Sequence, residues 1–145
     1  MGLVSDVAAR LKAEVPALGG RVEGARELSE LMRSGQLPEA AVSANVLPLG
    51  LRGRRADAAT GAFTQIVGRT ISVLITMRTY GADFDRTEAT VEDLIAAVCE
   101  AICGWAPDDQ VGVFELLRGD LVGMRAGTLI YQIDFTINDQ LRIIG

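Results

Sequence analysis

Four groups of residues in this sequence have types and spacing suited to chemistry. Asp83 and Asp85 lie two apart in Tyr80-Gly81-Ala82-Asp83-Phe84-Asp85, and paired carboxylates can seed a metal or an acid–base site. No calcium-loop spacing follows them, and Gly-Ala-Asp-Phe-Asp also suits a strand-to-helix turn, which is the reading adopted. Asp108-Asp109, after Pro107, is read in the same way. Cys99 and Cys103 stand four apart in an expected helix. Their parallel side chains do not bridge easily, and two ligands do not complete a zinc site, so they read as small, half-buried core residues. Arg52-Gly53-Arg54-Arg55 lacks the lysine–serine ending of a phosphate-binding loop and leads into no helix. It reads as a charged loop, or as a partner-contact loop whose long cationic arms reach a neighbour's carboxylates or a nucleic-acid backbone.

What is missing narrows the chemistry further. The chain has no histidine, which removes serine–histidine and cysteine–histidine hydrolases, histidine general bases and histidine metal sites together. Ser5, Ser29, Ser34, Ser43 and Ser72 therefore have no imidazole to activate them, and none sits in a nucleophile elbow. Trp105 is the only tryptophan. It follows an expected helix cap and reads as a plug for the end of the core, although an indole can also stack on a ligand. The expectation is a protein that is not an enzyme, with no catalytic, cofactor-binding or metal-binding residues.

These groups must be held by a small fold. At 145 residues the chain fits one domain, 1–145, and can bury about 70% of its unfolded surface without a metal or a disulfide. Net charge is −5, which disfavours a free binder of nucleic acid or anionic membrane. The charge is uneven: residues 1–60 carry 8 basic and 7 acidic groups, and residues 61–145 carry 6 and 12. Of the 14 basic residues 13 are arginine, with Lys12 the exception; guanidinium forks suit carboxylates at protein interfaces. With no disulfide framework, a reducing compartment is expected. The N-terminus lacks a signal peptide's basic start and apolar core, and no apolar run is long enough to span a membrane.

Periodicity supplies the elements. Val4, Val7, Ala8, Leu11 and Val15 predict a helix over 3–14, stopped by Pro16. A second helix is predicted over 23–33, ending at Gly35. Residues 41–51 read as a strand, with Pro48 at an edge or a bulge. Residues 52–61 read as a flexible arginine-rich loop. Residues 63–80 read as a strand longer than so small a domain needs, with Gly68 bending 63–67 out of the sheet. Val91, Leu94, Ile95, Val98 and Ile102 stripe a helix over 88–103, entered through Thr90 and Asp93 and capped by Gly104. Residues 111–118 and 121–125 read as a hairpin turning at Gly119-Asp120. Residues 128–138 alternate cleanly, with Leu129, Tyr131, Ile133, Phe135 and Ile137 on one face. The sum is an α+β fold: a mostly antiparallel sheet, one helix packed across it, and two N-terminal helices. An overhanging strand in such a sheet invites pairing with another subunit.

The order of these pieces carries a resemblance. Val46-Leu47-Pro48 precedes the arginine–glycine stretch, then Gln65-Ile66-Val67 leads into Ser72-Val73-Leu74-Ile75. The helix from Leu94 to Cys103 ends in Gly104-Trp105-Ala106-Pro107, and Leu129-Ile130-Tyr131-Gln132-Ile133-Asp134-Phe135 forms a terminal strand. Over about 40–140 the chain resembles the tail terminator, or tail completion, proteins of long-tailed bacteriophages, particularly those of Mu-like prophages. The resemblance implies a structural virion protein at the neck end of the tail, assembled in the host cytoplasm. It implies a homohexameric ring that caps the tail tube, ends its polymerisation, and offers a docking surface to head-completion or neck proteins. DNA then passes through the hole without sequence-specific binding, and no membrane is involved. Arg52, Arg54 and Arg55 become candidate contacts to tube, neighbour or lumen; Gly104, Trp105 and Pro107 become a structural motif. Two other readings stand beside it. One is a head–tail connector or other minor tail protein; the other is a small-molecule-binding or enzymatic α+β domain using Asp83 and Asp85.

Overall fold

A computed structural model describes residues 2–35, 41–57, 62–78, 84–107, 112–125 and 127–144. The first helix, α1 (Leu3–Glu14), buries Leu3, Val7 and Leu11, one residue per turn on one stripe, and stops before Pro16. A single 3-10 turn, Pro16–Leu18, leads to a short strand, β1 (Val22–Glu23), and then to α2 (Ala25–Arg33). Three long strands and a shorter one follow: β2 (Val42–Asp57), β3 (Ala62–Arg78), β4 (Glu115–Arg125) and β5 (Thr128–Ile144), with α3 (Phe84–Ile102) between β3 and β4. They form one five-stranded sheet in the order β1-β2-β3-β5-β4. Only the two-residue β1 ladder is parallel; β2, β3, β5 and β4 pair antiparallel. The α+β expectation, with α3 laid across a mostly antiparallel sheet, is what the structure shows.

The register fixes the faces, because side chains alternate along a strand and directly paired residues share a side. Ile71, Val73, Ile75 and Met77 of β3 pair with Phe135, Ile133, Tyr131 and Leu129 of β5. The first partners on β2 include Val46 and Ala44. All of these except half-buried Tyr131 are buried, and they form one core with Leu3, Val7 and Leu11 of α1 and Val91, Leu94, Val98 and Ile102 of α3. Helices α1 and α3 thus cover one face of the proximal half of the sheet. The distal half continues well past them.

Several boundaries differ from expectation, each for a physical reason. Residues 52–57 are strand, not loop: Arg52 pairs with Gly68, Gly53 with Val67, Ala56 with Gln65 and Asp57 with Thr64. A long partner strand overrides weak local propensity here. The remainder of the expected loop, 58–61, lies outside the described residues. Gly68 does not turn 63–67 out of the sheet; they pair on one side with residues 139–143 of β5 without a register break. Gly119-Asp120 is no turn. β4 runs straight through it, and a Cβ at Gly119 would lie 2.9 Å from the Tyr131 hydroxyl oxygen. That glycine makes room for a cross-strand tyrosine. The connection from β4 to β5 instead passes through Gly127, which has φ +72°. Helix α3 starts before Thr90, so Thr90 and Asp93 lie inside it rather than at its entrance.

The Gly104-Trp105-Ala106-Pro107 segment seals the end of the core. Gly104 has φ +78°, the left-handed conformation that a helix C-terminus uses and glycine adopts without a Cβ clash. Its N–H donates to Phe114 O at 2.8 Å, and Phe114 N–H donates back to Trp105 O at 2.8 Å. The Trp105 ring stacks on Phe114 with centroids 5.9 Å apart. On the α1 side, the Arg10 guanidinium sits 5.1 Å from the indole centroid and its Nε donates to Ala101 O at 2.9 Å. Trp105 therefore fastens α1, the end of α3 and the approach to β4. Trp105→Ala is expected to cost about 2–4 kcal/mol, since it removes a half-buried indole together with its stacking and cation–π contacts. Chemical denaturation followed by circular dichroism checks this, and Trp105→Phe should restore about half of the loss.

Candidate assembly surface

Beyond the helices, the distal half of the sheet exposes apolar side chains, Leu51, Leu141 and Ile143 among the described residues. On the face continuous with the core, Leu51 pairs with Arg69, Gln65 with Leu141 and Phe63 with Ile143. Leu51 is 71% exposed and Ile143 54%, large apolar side chains left in water on a face they share with Gln65 and Arg69. Arg69 lies 3.6 Å from Asp139 within this row. The strand expected from sequence over 128–138 stops short of this row. The signal was present in Leu141 and Ile143, which continue the alternation of β5 across Asp139 and Gln140.

Among the described residues the sheet is open on both sides: β4 pairs with β5 alone and β5 has no outer strand beyond Thr136, while beyond Asn45 no strand pairs with the outer side of β2. Both edges are bulged. Leu117 and Val122 are extra residues in β4, and Leu49 is an extra residue in β2 after Pro48. This meets the expectation that Pro48 marks an edge or a bulge. Leu116, Leu117, Leu121, Val122 and Met124 of β4 are all exposed, as are Leu49 and Leu51 of β2. Arg118 and Asp120 sit two apart on β4 with Arg118 Nε 2.6 Å from the carboxylate. Hydrogen bonding to Asp120, followed by its charge, raises the Arg118 pKa. These two opposite charges are matched on their own strand.

Arg52, Arg54 and Arg55 occupy the face opposite α1 and α3. Arg52 pairs with Gly68, which shares that side with Ser72 and Thr70. Between Gly53 and Ala56, Arg54 and Arg55 together oppose only Ile66, a bulge that crowds two cationic side chains into the space of one residue. Arg52 and Arg54 line a cleft with Gly68, Thr70, Thr136 and Leu117. The structure thus brings Arg52 and Arg54 together and keeps Arg55 beside them. It does not bring Gly104, Trp105 and Pro107 to this site, since they belong to the core seal.

Other candidates resolve differently. Asp83 and the Asp108-Asp109 pair lie outside the described residues, and at Asp85 only the helical backbone is described. Among the described residues, no three histidine, cysteine, aspartate or glutamate side chains form a group suited to a metal ion, and no helix is long and apolar enough to cross a membrane. Cys99 is half-buried against the core and Cys103 exposed, both free. Burial, and secondarily Cys103 nearby, raise the Cys99 pKa, leaving less reactive thiolate at a given pH. Iodoacetamide is expected to label Cys103 first near neutral pH, with Cys99 gaining reactivity only as pH rises; peptide mass mapping reads the order.

A family model for phage tail terminator proteins matches residues 3–145. The chain belongs to the phage tail terminator family. It is therefore a structural protein of the phage tail and a component of the virion, in a family that is structural rather than enzymatic. The match is to the family as a whole, without selecting its Mu-like branch. No curated protein matches the chain. Among solved structures, a chain from the virion of a native gene transfer agent (GTA) particle has the same fold, with a TM-score of 0.56 at 21% identity over 97% of this chain and 100% of that one.

Proposed function

We propose that this chain assembles into a closed ring that caps the phage tail tube and ends its polymerisation. The ring then presents its other side to head-completion or neck proteins, and DNA passes through its hole without sequence-specific binding. Assembly occurs in the host cytoplasm, and the finished ring sits at the neck end of the tail. Six copies is the number that the family resemblance implies. The observation that carries this reading is the pair of open sheet edges, β4 on one side and the outer side of β2 on the other, both with exposed apolar side chains. Two different edges meeting head to tail make a heterologous contact, which generates a ring when its rotation closes. Closure also satisfies edges that would otherwise recruit unwanted strands.

The test is tube growth. Tail-tube protein is polymerised with and without this chain and the tubes are measured by electron microscopy. The reading expects elongation to stop, with ring-shaped density at one tube end. Tubes that lengthen at the same rate and carry no terminal density would overturn it.

A further inference from the structure

We infer that the arginine cleft on the face opposite α1 and α3 is a contact for the phosphodiester backbone of DNA, repeated around the ring as a cationic belt. This rests on the ring reading above. The argument begins with which face turns inward. Helices α1 and α3 cover one side of the sheet's proximal half, and on the opposite side, past buried Ser72, the described residues of the distal half form a cleft reaching from β2 to β4. The inference sets the α1 and α3 layer on the longer outer circumference of the ring and turns the hollow face toward the hole.

The chemistry of that face favours an anionic backbone. Among the described residues, Arg10, Arg26, Arg69 and Arg118 each sit within 4 Å of a carboxylate. No such carboxylate is found for Arg52, Arg54 or Arg55, and all three are exposed. They are three cations within four residues, in a chain whose net charge is −5. The cleft adds the hydroxyls of Thr70 and Thr136 and the bare backbone of Gly68. Guanidinium forks, hydroxyls and close backbone approach are the groups that bind phosphate oxygens without reading bases. The chain's net charge of −5 works against tight DNA binding elsewhere on the molecule, and a belt of exposed arginines holds the duplex at one level.

The test uses the full chain and a fluorescent duplex of about 30 base pairs of arbitrary sequence, titrated from about 20 to 150 mM salt. Anisotropy reports binding and light scattering reports mass in the same samples. The inference expects sequence-independent binding that weakens steeply with salt. R52A/R54A/R55A should lose about tenfold or more in affinity and flatten the salt slope, since each arginine–phosphate contact releases about one counterion. R52K/R54K/R55K should keep most of the binding. A ring that binds no duplex, or binds it equally well after the alanine changes, overturns the belt and leaves the ring reading intact. Arginine-dependent binding of polyglutamate with none of the duplex also overturns it and assigns the cleft to an acidic protein segment. A chain that stays monomeric, with and without tubes, overturns the ring reading and the belt with it.

Discussion

Leu121→Asp with Val122→Asp is expected to leave the monomer folded and to weaken subunit association by about a hundredfold or more. Both side chains lie on the open edge of β4, 56% and 57% exposed, so the isolated chain loses little by their replacement. In a joined edge they are desolvated, and a carboxylate buried there without a partner costs several kcal/mol. A thermal melt should change by no more than a few degrees, while sedimentation or light scattering should lose the ring species. An unchanged ring would move the subunit contact away from β4.

The largest effect on stability is expected at Phe135. It is fully buried in β5, pairs with Ile71 on one side and Leu116 on the other, and ranks with Phe114 among the largest enclosed side chains. Phe135→Ala should cost about 3–5 kcal/mol, a large share of the roughly 5–15 kcal/mol that holds a domain of this size. Urea denaturation should show a lower midpoint with an unchanged slope. Asn138→Ala, at an exposed position further along the same strand, should stay within about 0.5 kcal/mol.

The parts of this fold that could be read in advance are those where one periodicity acts alone. Val91, Leu94, Val98 and Ile102 placed α3, and the alternation from Leu129 to Ile137 placed the buried half of β5. Pro16 and Gly104 marked two helix ends because their backbone chemistry is local. The errors fall where pairing decides. Arg52–Asp57 has no strand pattern, yet β3 lies alongside and supplies the hydrogen bonds. Gly119-Asp120 has the composition of a turn, and its need for glycine becomes visible only when Tyr131 crosses it. Strand β1 has two residues, too few for any period. The arginine site was legible as a charge cluster, but its place on the face opposite α1 and α3 follows from the register with Gly68 and from the bulge at Arg54 and Arg55. Neither was readable from spacing along the chain.

The central claim is that two different sheet edges close a ring, and its most direct test is the mass of the purified chain in solution, by light scattering, alone and with tail tubes. The account predicts a species of roughly six times the 15.4 kDa chain, either free or formed on tube ends. A persistent 15.4 kDa monomer that leaves tubes uncapped would contradict it.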